Sequence, residues 1–231
     1  MAVRLLGREV EAFVFDVDGT FYNQQILLSI FTQVRLALAS RLLHLNGNTQ
    51  PSQEELASMR NTYVTLADNL GSYTQAFVTL GGTGAEYKFT AEKVDRSGYL
   101  SPDPDLRQML ERLNSVASVA LFTSTLEEVT KNTCTKLLGA DWRGLFQVVM
   151  CCDTPGRRGE KPEQVAFEHI LEMLGTPPHK AAMVGDLGSA DLKIPGELGM
   201  LTIQVERTDW QDAHLYIPCI YNLVDHISPL S

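Results

Sequence analysis

Five short apolar runs, each cut off abruptly by polar or glycine-bearing residues, set the tightest limit on what this chain can fold into. The first lies in residues 11–18, Glu-Ala-Phe-Val-Phe-Asp-Val-Asp; the others are Ser118 to Phe122, Gln147 to Met150, Ala181 to Val184 and Met200 to Val205. Continuous apolar runs this short, bounded by turn residues, are buried strands. Between them lie helical patterns with recognisable stops, Leu126 to Leu138 before Gly139 and Pro162 to Leu174 before Gly175. Strands alternating with helices predict an α/β fold, a mostly parallel sheet covered by helices on both faces. Ligands of such sheets bind at the carboxyl ends of the strands.

The stretch from Tyr22 to Tyr99 follows a different rule. Ile26, Ile30, Val34, Leu38 and Leu42 recur at steps of four within Gln24–Leu45, and Leu56, Met59, Tyr63, Leu66 and Leu70 at steps of three and four within Glu54–Leu70. Asn46-Gly47-Asn48 through Pro51 breaks the two helices, with Ser52 as a cap for the second. Gly81-Gly82-Thr83-Gly84 follows no strand and reads as a loop between helices rather than a phosphate cradle. The expected organisation is therefore a discontinuous core, residues 1–21 and 100–231, with an all-helical insert over 22–99 placed as a lid over the first strand's carboxyl end. Pro195-Gly196 falls in a helical stretch after Asp191 and predicts a kink or a restart there.

Overall charge narrows the choice of partner. A formal charge of -9 over 231 residues argues against nucleic acid polymers and anionic membranes, so an anionic substrate must be held locally. No apolar run is read as reaching the roughly 20 residues of a membrane span, and no cleavable leader is seen, which makes a cytoplasmic protein the expectation. Cys134, Cys151, Cys152 and Cys219 lack metal-type spacing and read as reduced thiols.

The chemistry is concentrated where the strands end. Asp16 and Asp18 leave the first strand one residue apart; in extended chain both carboxylates can face one ligand, and Gly19 permits the turn that keeps them there. Such hard oxygen ligands suit Mg2+. Thr123-Ser124-Thr125 follows the second strand and puts hydroxyls and N–H groups at a helix start, where either an anion or a cap is served. Lys161, before Pro162 at a helix opening, is an ordinary surface charge by itself but could neutralise a phosphoryl group if held at a strand end. Gly185-Asp186 through Asp191 supplies two more acids after the fourth strand.

Together these segments resemble the four motifs of the haloacid dehalogenase-like hydrolases, matching Asp16-Val17-Asp18-Gly19-Thr20, Thr123, Lys161-Pro162 and Gly185-Asp186 through Asp191 in order over residues 11 to 205. Lys161-Pro162 with Phe167, and Gly199-Met200, are similar to phosphoglycolate-phosphatase-like and pyrimidine-nucleotidase-like members. The resemblance implies a Rossmann-like core with a helical cap after motif one. Two departures stand out: Ser124 occupies a position usually held by asparagine, and a Pro155-Gly156-Arg157-Arg158-Gly159 loop before motif three brings extra positive charge near the pocket.

By that resemblance the chain is a Mg2+-dependent phosphatase acting on a small phosphate ester such as a nucleotide, a sugar phosphate or phosphoglycolate. Asp16 is the implied nucleophile and Asp18 the acid and base; Thr123, Ser124 and Lys161 hold the phosphoryl oxygens. Asp16, Asp186 and the backbone carbonyl of Asp18 are the implied metal ligands, with Asp191 orienting Lys161 or a metal-bound water. A phosphomutase of the same fold, a phospho-accepting signalling module and a silent binding protein are the alternatives. Arg35, Arg41, His44, Arg60 and Tyr63 are candidates for reading the substrate from the insert.

Overall fold

A computed structural model describes residues 1–70 and 73–229. The chain divides into two compact units, Met1–Leu27 with Leu100–Ser231, and Leu28–Tyr99.

The first unit opens with β1 (Val3–Leu5) and β2 (Arg8–Val10), a hairpin, and then β3 (Ala12–Phe15), which carries the first apolar run. After α5 (Pro104–Asn114) come β4 (Ser118–Phe122), α6 (Glu127–Leu138), β5 (Val148–Met150), α7 (Gln164–Leu174), β6 (Ala181–Gly185), α8 (Lys193–Leu198), β7 (Leu201–Val205), β8 (Leu215–Ile217) and β9 (Ile227–Pro229). Six strands form one parallel sheet in the order β5-β4-β3-β6-β7-β8. Every residue of β3, β6 and β7 is buried, as a sheet covered on both faces requires. The chain steps outward from β3 on one side through β4 and β5, then returns to lay β6 on the other side. This reversal leaves a crevice at the carboxyl ends of β3 and β6.

On one face Phe122 packs edge-on against Phe167 of α7, within a cluster that includes Ile170, Met183 and Met200. Elsewhere Phe13, Phe15, Phe21 and Phe146 form a chain of ring contacts. Fully burying a side chain of this size stabilises by about 2–3 kcal/mol, which offsets the cost of ordering a segment that must end in charged residues. A separate small antiparallel sheet, β2-β1-β9, joins the two ends of the described chain.

The second unit contains most of α1 (Gln24–Leu45), then α2 (Gln53–Leu70), α3 (Tyr73–Thr79) and α4 (Gly84–Glu92), with no strand among its described residues. Ser52 and Glu55 form reciprocal hydrogen bonds that cap α2, and Thr83 and Glu86 do the same for α4. Tyr63, Phe77 and Tyr87 meet edge-on, and a side chain at Gly82 would overlap the Phe77 ring.

Two local readings need correction, and a third holds. α1 is long and apolar enough to cross a membrane, contrary to the expectation from the sequence. In this fold, however, Ile30, Leu38, Ala39 and Leu42 are buried within the protein, and Arg35 and Arg41 make polar contacts inside the helical unit. Pro162 does not open α7, which starts two residues later behind Glu163. After Asp191 the helix does restart: a wide turn over Gly188–Leu192 gives way to α8, with Pro195 in its first turn, where the missing N–H forfeits no helical bond.

Candidate active site

Asp16 is the first residue beyond β3, its N–H held by the Val184 carbonyl of β6 at 3.0 Å. It is 8% exposed, so a carboxylate has been carried to the bottom of the crevice by a strand buried along its whole length. The turn that follows closes with N–H bonds from Thr20 and Phe21 to the Val17 carbonyl. Gly19 takes φ +83°, and any Cβ there would meet Asp186 Oδ2 at 2.6 Å and Gln24 Nε2 at 2.8 Å. Backbone conformation and lack of space both demand glycine.

Lys161 reaches the same place from the loop before α7. Its ammonium donates to Asp16 Oδ1 and to Asp191 Oδ1, each at 2.8 Å, and lies 4.8 Å from the centre of the Phe122 ring. The Lys161 side chain is 2% exposed, so this is a buried ion pair rather than the surface charge that the isolated residue suggested. Burial alone would pull Lys161 down, but Asp16 and Asp191 outweigh it and hold the ammonium above its ordinary range. Burial pushes Asp16 well up, with Lys161 opposing and Asp191 adding to the rise.

Asp186, directly after β6, is 1% exposed. Its Oδ2 accepts from Gln24 Nε2 at 2.8 Å, while its Oδ1 is buried without a partner. Burial, reinforced by Asp191, raises its pKa to about 6. Asp191 lies on the wide turn, its Oδ2 accepting from the Leu187 N–H at 3.1 Å. Ligand atoms of Asp16, Asp186 and Asp191 lie within 4.8 Å of one another. When all three carboxylates are ionised they exceed the one ammonium by two negative charges in a buried site. Together with the orphaned Asp186 oxygen, that charge fits a divalent cation with oxygen ligands, such as Mg2+.

Asp18 faces another way. Its Oδ2 accepts from Thr125 Oγ1 at 2.9 Å and its Oδ1 from the Tyr22 hydroxyl. Thr123 is 1% exposed and accepts the Thr125 N–H at 3.1 Å; Ser124 is exposed. None of these three residues caps α6, whose first N–H, that of Glu127, goes instead to Asp153 at 2.8 Å. Arg157 and Arg158 are committed to ion pairs with Glu160 and Glu172, so the loop's positive charge is neutralised locally.

Several contacts have no counterpart in the sequence reading. Thr125 and Tyr22 hold Asp18, Gln24 holds Asp186, and the fully buried Gln204 donates to the Asp186 carbonyl at 2.9 Å. Only Thr125 carried a signal, as the third hydroxyl residue after a strand.

Comparison with known proteins places this arrangement. The model of the haloacid dehalogenase-like hydrolase family matches residues 10–194. The chain is 25% identical over 210 residues to the glyceraldehyde 3-phosphate phosphatase of Methanopyrus kandleri, covering 88% of this chain and 87% of that protein. The HAD phosphatase of Thermococcus onnurineus superposes with a TM-score of 0.68 at 23% identity, covering 94% of this chain and 97% of that one. CbbY of Rhodobacter sphaeroides, solved in complex with phosphate, superposes with a TM-score of 0.61 at 16% identity, covering 93% and 96%. With four strand ends delivering these side chains to one crevice, and the family model spanning most of the core, the chain belongs to the haloacid dehalogenase-like hydrolases.

Proposed function

We propose that this hydrolase is a Mg2+-dependent phosphatase of small phosphorylated metabolites, working through an aspartyl phosphate on Asp16. One observation carries the reading: Lys161 holds Asp16 Oδ1 inside an acidic cluster that still lacks a divalent charge, while a second carboxylate, Asp18, stands apart on hydroxyl donors. Two carboxylates in such different settings suit two roles. The name of the Methanopyrus relative favours a sugar-phosphate type of ester.

Asp16 Oδ2 attacks phosphorus as the bond to the ester oxygen breaks, and Asp18 gives that oxygen its proton. Asp18 then takes a proton from water as the water attacks the aspartyl phosphate, freeing phosphate and restoring Asp16. Thr125 and Tyr22 keep the Asp18 carboxyl from turning away between these steps. Thr123, Ser124 and Lys161 hold the phosphoryl oxygens, Lys161 itself being fixed by Asp191. Asp16 and Asp186 would hold Mg2+, with the Asp18 carbonyl completing the protein ligands; the ion supplies charge neutralisation between nucleophile and phosphoryl group. The helical insert is the unit that chooses among substrates.

The test is phosphate release by the purified chain across nucleotides, sugar phosphates and phosphoglycolate. Release should stop with EDTA, return with Mg2+ and return little with Ca2+, and Asp16→Asn should abolish it without loss of fold. Turnover by Asp16→Asn would sink the mechanism. A single equivalent of bound phosphate without turnover would instead indicate a phospho-accepting module.

A further inference from the structure

The helical unit contains a cleft of about 350 Å³ lined by Thr32 and Arg35 of α1 and by Arg60, Asn61, Val64 and Thr65 of α2. The spacing explains the lining: Arg60, Asn61, Val64 and Thr65 lie on one face of α2, and Thr32 and Arg35 are one turn apart on α1.

Its chemistry is one-sided. In this acidic protein Arg41, Arg107, Arg157, Arg158 and Arg207 each pair with a carboxylate. Arg35 and Arg60 pair with none among the described residues. Arg35 is nevertheless fixed, donating to the Tyr73 hydroxyl at 2.7 Å with its guanidinium 4.9 Å from the centre of that ring. Arg60 donates to Asn61 Oδ1 at 3.2 Å, which leaves the Asn61 amide nitrogen, a group that can only donate, as a further donor. Thr32 spends its proton on the Leu28 carbonyl at 2.8 Å and serves as wall, while the Thr65 hydroxyl has no partner among the described residues. The cleft thus offers two guanidinium groups, an amide N–H2 and a hydroxyl, and no carboxylate lines it. A neutral polar ligand needs acceptors as well as donors; this lining is matched only by an anion with several acceptor oxygens.

We propose that this cleft is a binding site for a doubly charged oxyanion, a phosphate group above all. Arg35, already held by Tyr73, supplies a fixed charge at little further cost in side-chain entropy, and Arg60 closes on the ligand from α2. The proposal concerns the helical unit alone and stands or falls separately from the assignment of Asp16.

It is tested by titrating the metal-free protein, in EDTA and at constant ionic strength, with inorganic phosphate while following the 15Nε–H signals of Arg35 and Arg60. Both signals should shift saturably, with a dissociation constant on the order of 1 mM, and chloride should not reproduce the shift. Arg60→Met, with unchanged circular dichroism, should weaken binding about tenfold, and Thr65→Val should weaken it less. Absence of any shift up to about 100 mM phosphate, an equal response to chloride, or undiminished binding by Arg60→Met would each overturn the proposal. A second arm separates the sources of the anion. If Arg60→Met raises KM only for esters with a second anionic group, the ligand is the far end of the substrate; if KM for neutral-ended and anionic-ended esters is unmoved, the ligand is free phosphate.

Discussion

Asp186→Asn should stabilise the metal-free protein. Burial carries the Asp186 carboxyl from an ordinary 3.8 to about 6, and each tenfold change in an ionisation constant is about 1.4 kcal/mol. Holding this group ionised at pH 7 therefore costs the folded state about 3 kcal/mol, and with 1% of the residue exposed, solvent relieves little of it. The sign follows from a raised folded-state value: stability is intact below pH 3.8, falls as pH rises toward 6, and is lost in full above that. Asparagine keeps an oxygen to accept from Gln24 Nε2 and places donors where Oδ1 has no partner, beside Asp16 and Asp191. In EDTA at pH 7 the variant should melt about 6–12 °C above the parent, since 1 kcal/mol moves a chain of this size by about 2–4 °C. The gap should shrink to about half at pH 5 and close near pH 3. Saturating Mg2+ should reverse the order, because only the parent gains a ligand. Thermal melts of both proteins across pH, with and without Mg2+, supply the measurement. A variant no more stable than its parent in EDTA at pH 7, or a gap indifferent to pH, would refute the reasoning.

Three further substitutions separate the parts of the site. Thr125→Val removes a hydrogen bond from Asp18 and should lower kcat about 10- to 100-fold with KM little changed; equal kcat would deny Asp18 its dependence on that hydroxyl. Lys161→Ala strands two buried carboxylates and should destabilise the metal-free protein by about 3–5 kcal/mol, while depressing turnover of every ester together; a loss confined to some esters would contradict its role at the shared phosphoryl group. Gly82→Ala drives a methyl into the Phe77 ring, which Tyr63 and Tyr87 hold in place, and should cost about 1–3 kcal/mol in a urea melt.

The strands and the acids at their ends were legible because a parallel sheet buried on both faces leaves nearly unbroken apolar runs, and what interrupts a run marks the crevice. Asp16, Thr123, Lys161 and Asp186 were singled out as candidates in that way, and the structure has all four at the carboxyl ends of neighbouring strands or in the loops that follow them. β1, β2, β8 and β9 were missed: three residues of mixed character, as in Arg8-Glu9-Val10, carry no period, and most of their pairing is decided by distant partners. The same limit applied at the site. Thr125 meets Asp18 across 107 residues and Gln24 meets Asp186 across 162, and no local spacing announces either contact. The apolar span of α1 escaped notice because Arg35 and Arg41 interrupt it, although its average still reaches that of a membrane helix.

The order of the sheet also sets a timetable. β3, which ends at Asp16, takes one neighbour from Ser118–Phe122 and the other from Ala181–Gly185, with Ala12 opposite Ala181. On a ribosome adding about 5–20 residues per second, roughly 10–30 s separate synthesis of that strand from synthesis of its second partner. Throughout that interval Phe13, Phe15 and the nucleophile have no completed sheet to occupy, whereas the helices of the insert can form from residues near one another in the chain. β1 waits longer still, for residues 227–229. A nascent chain released or stalled before residue 181 would therefore display β3 with one edge unpaired and no assembled site, making β3 an apolar segment that chaperones must shield through most of synthesis.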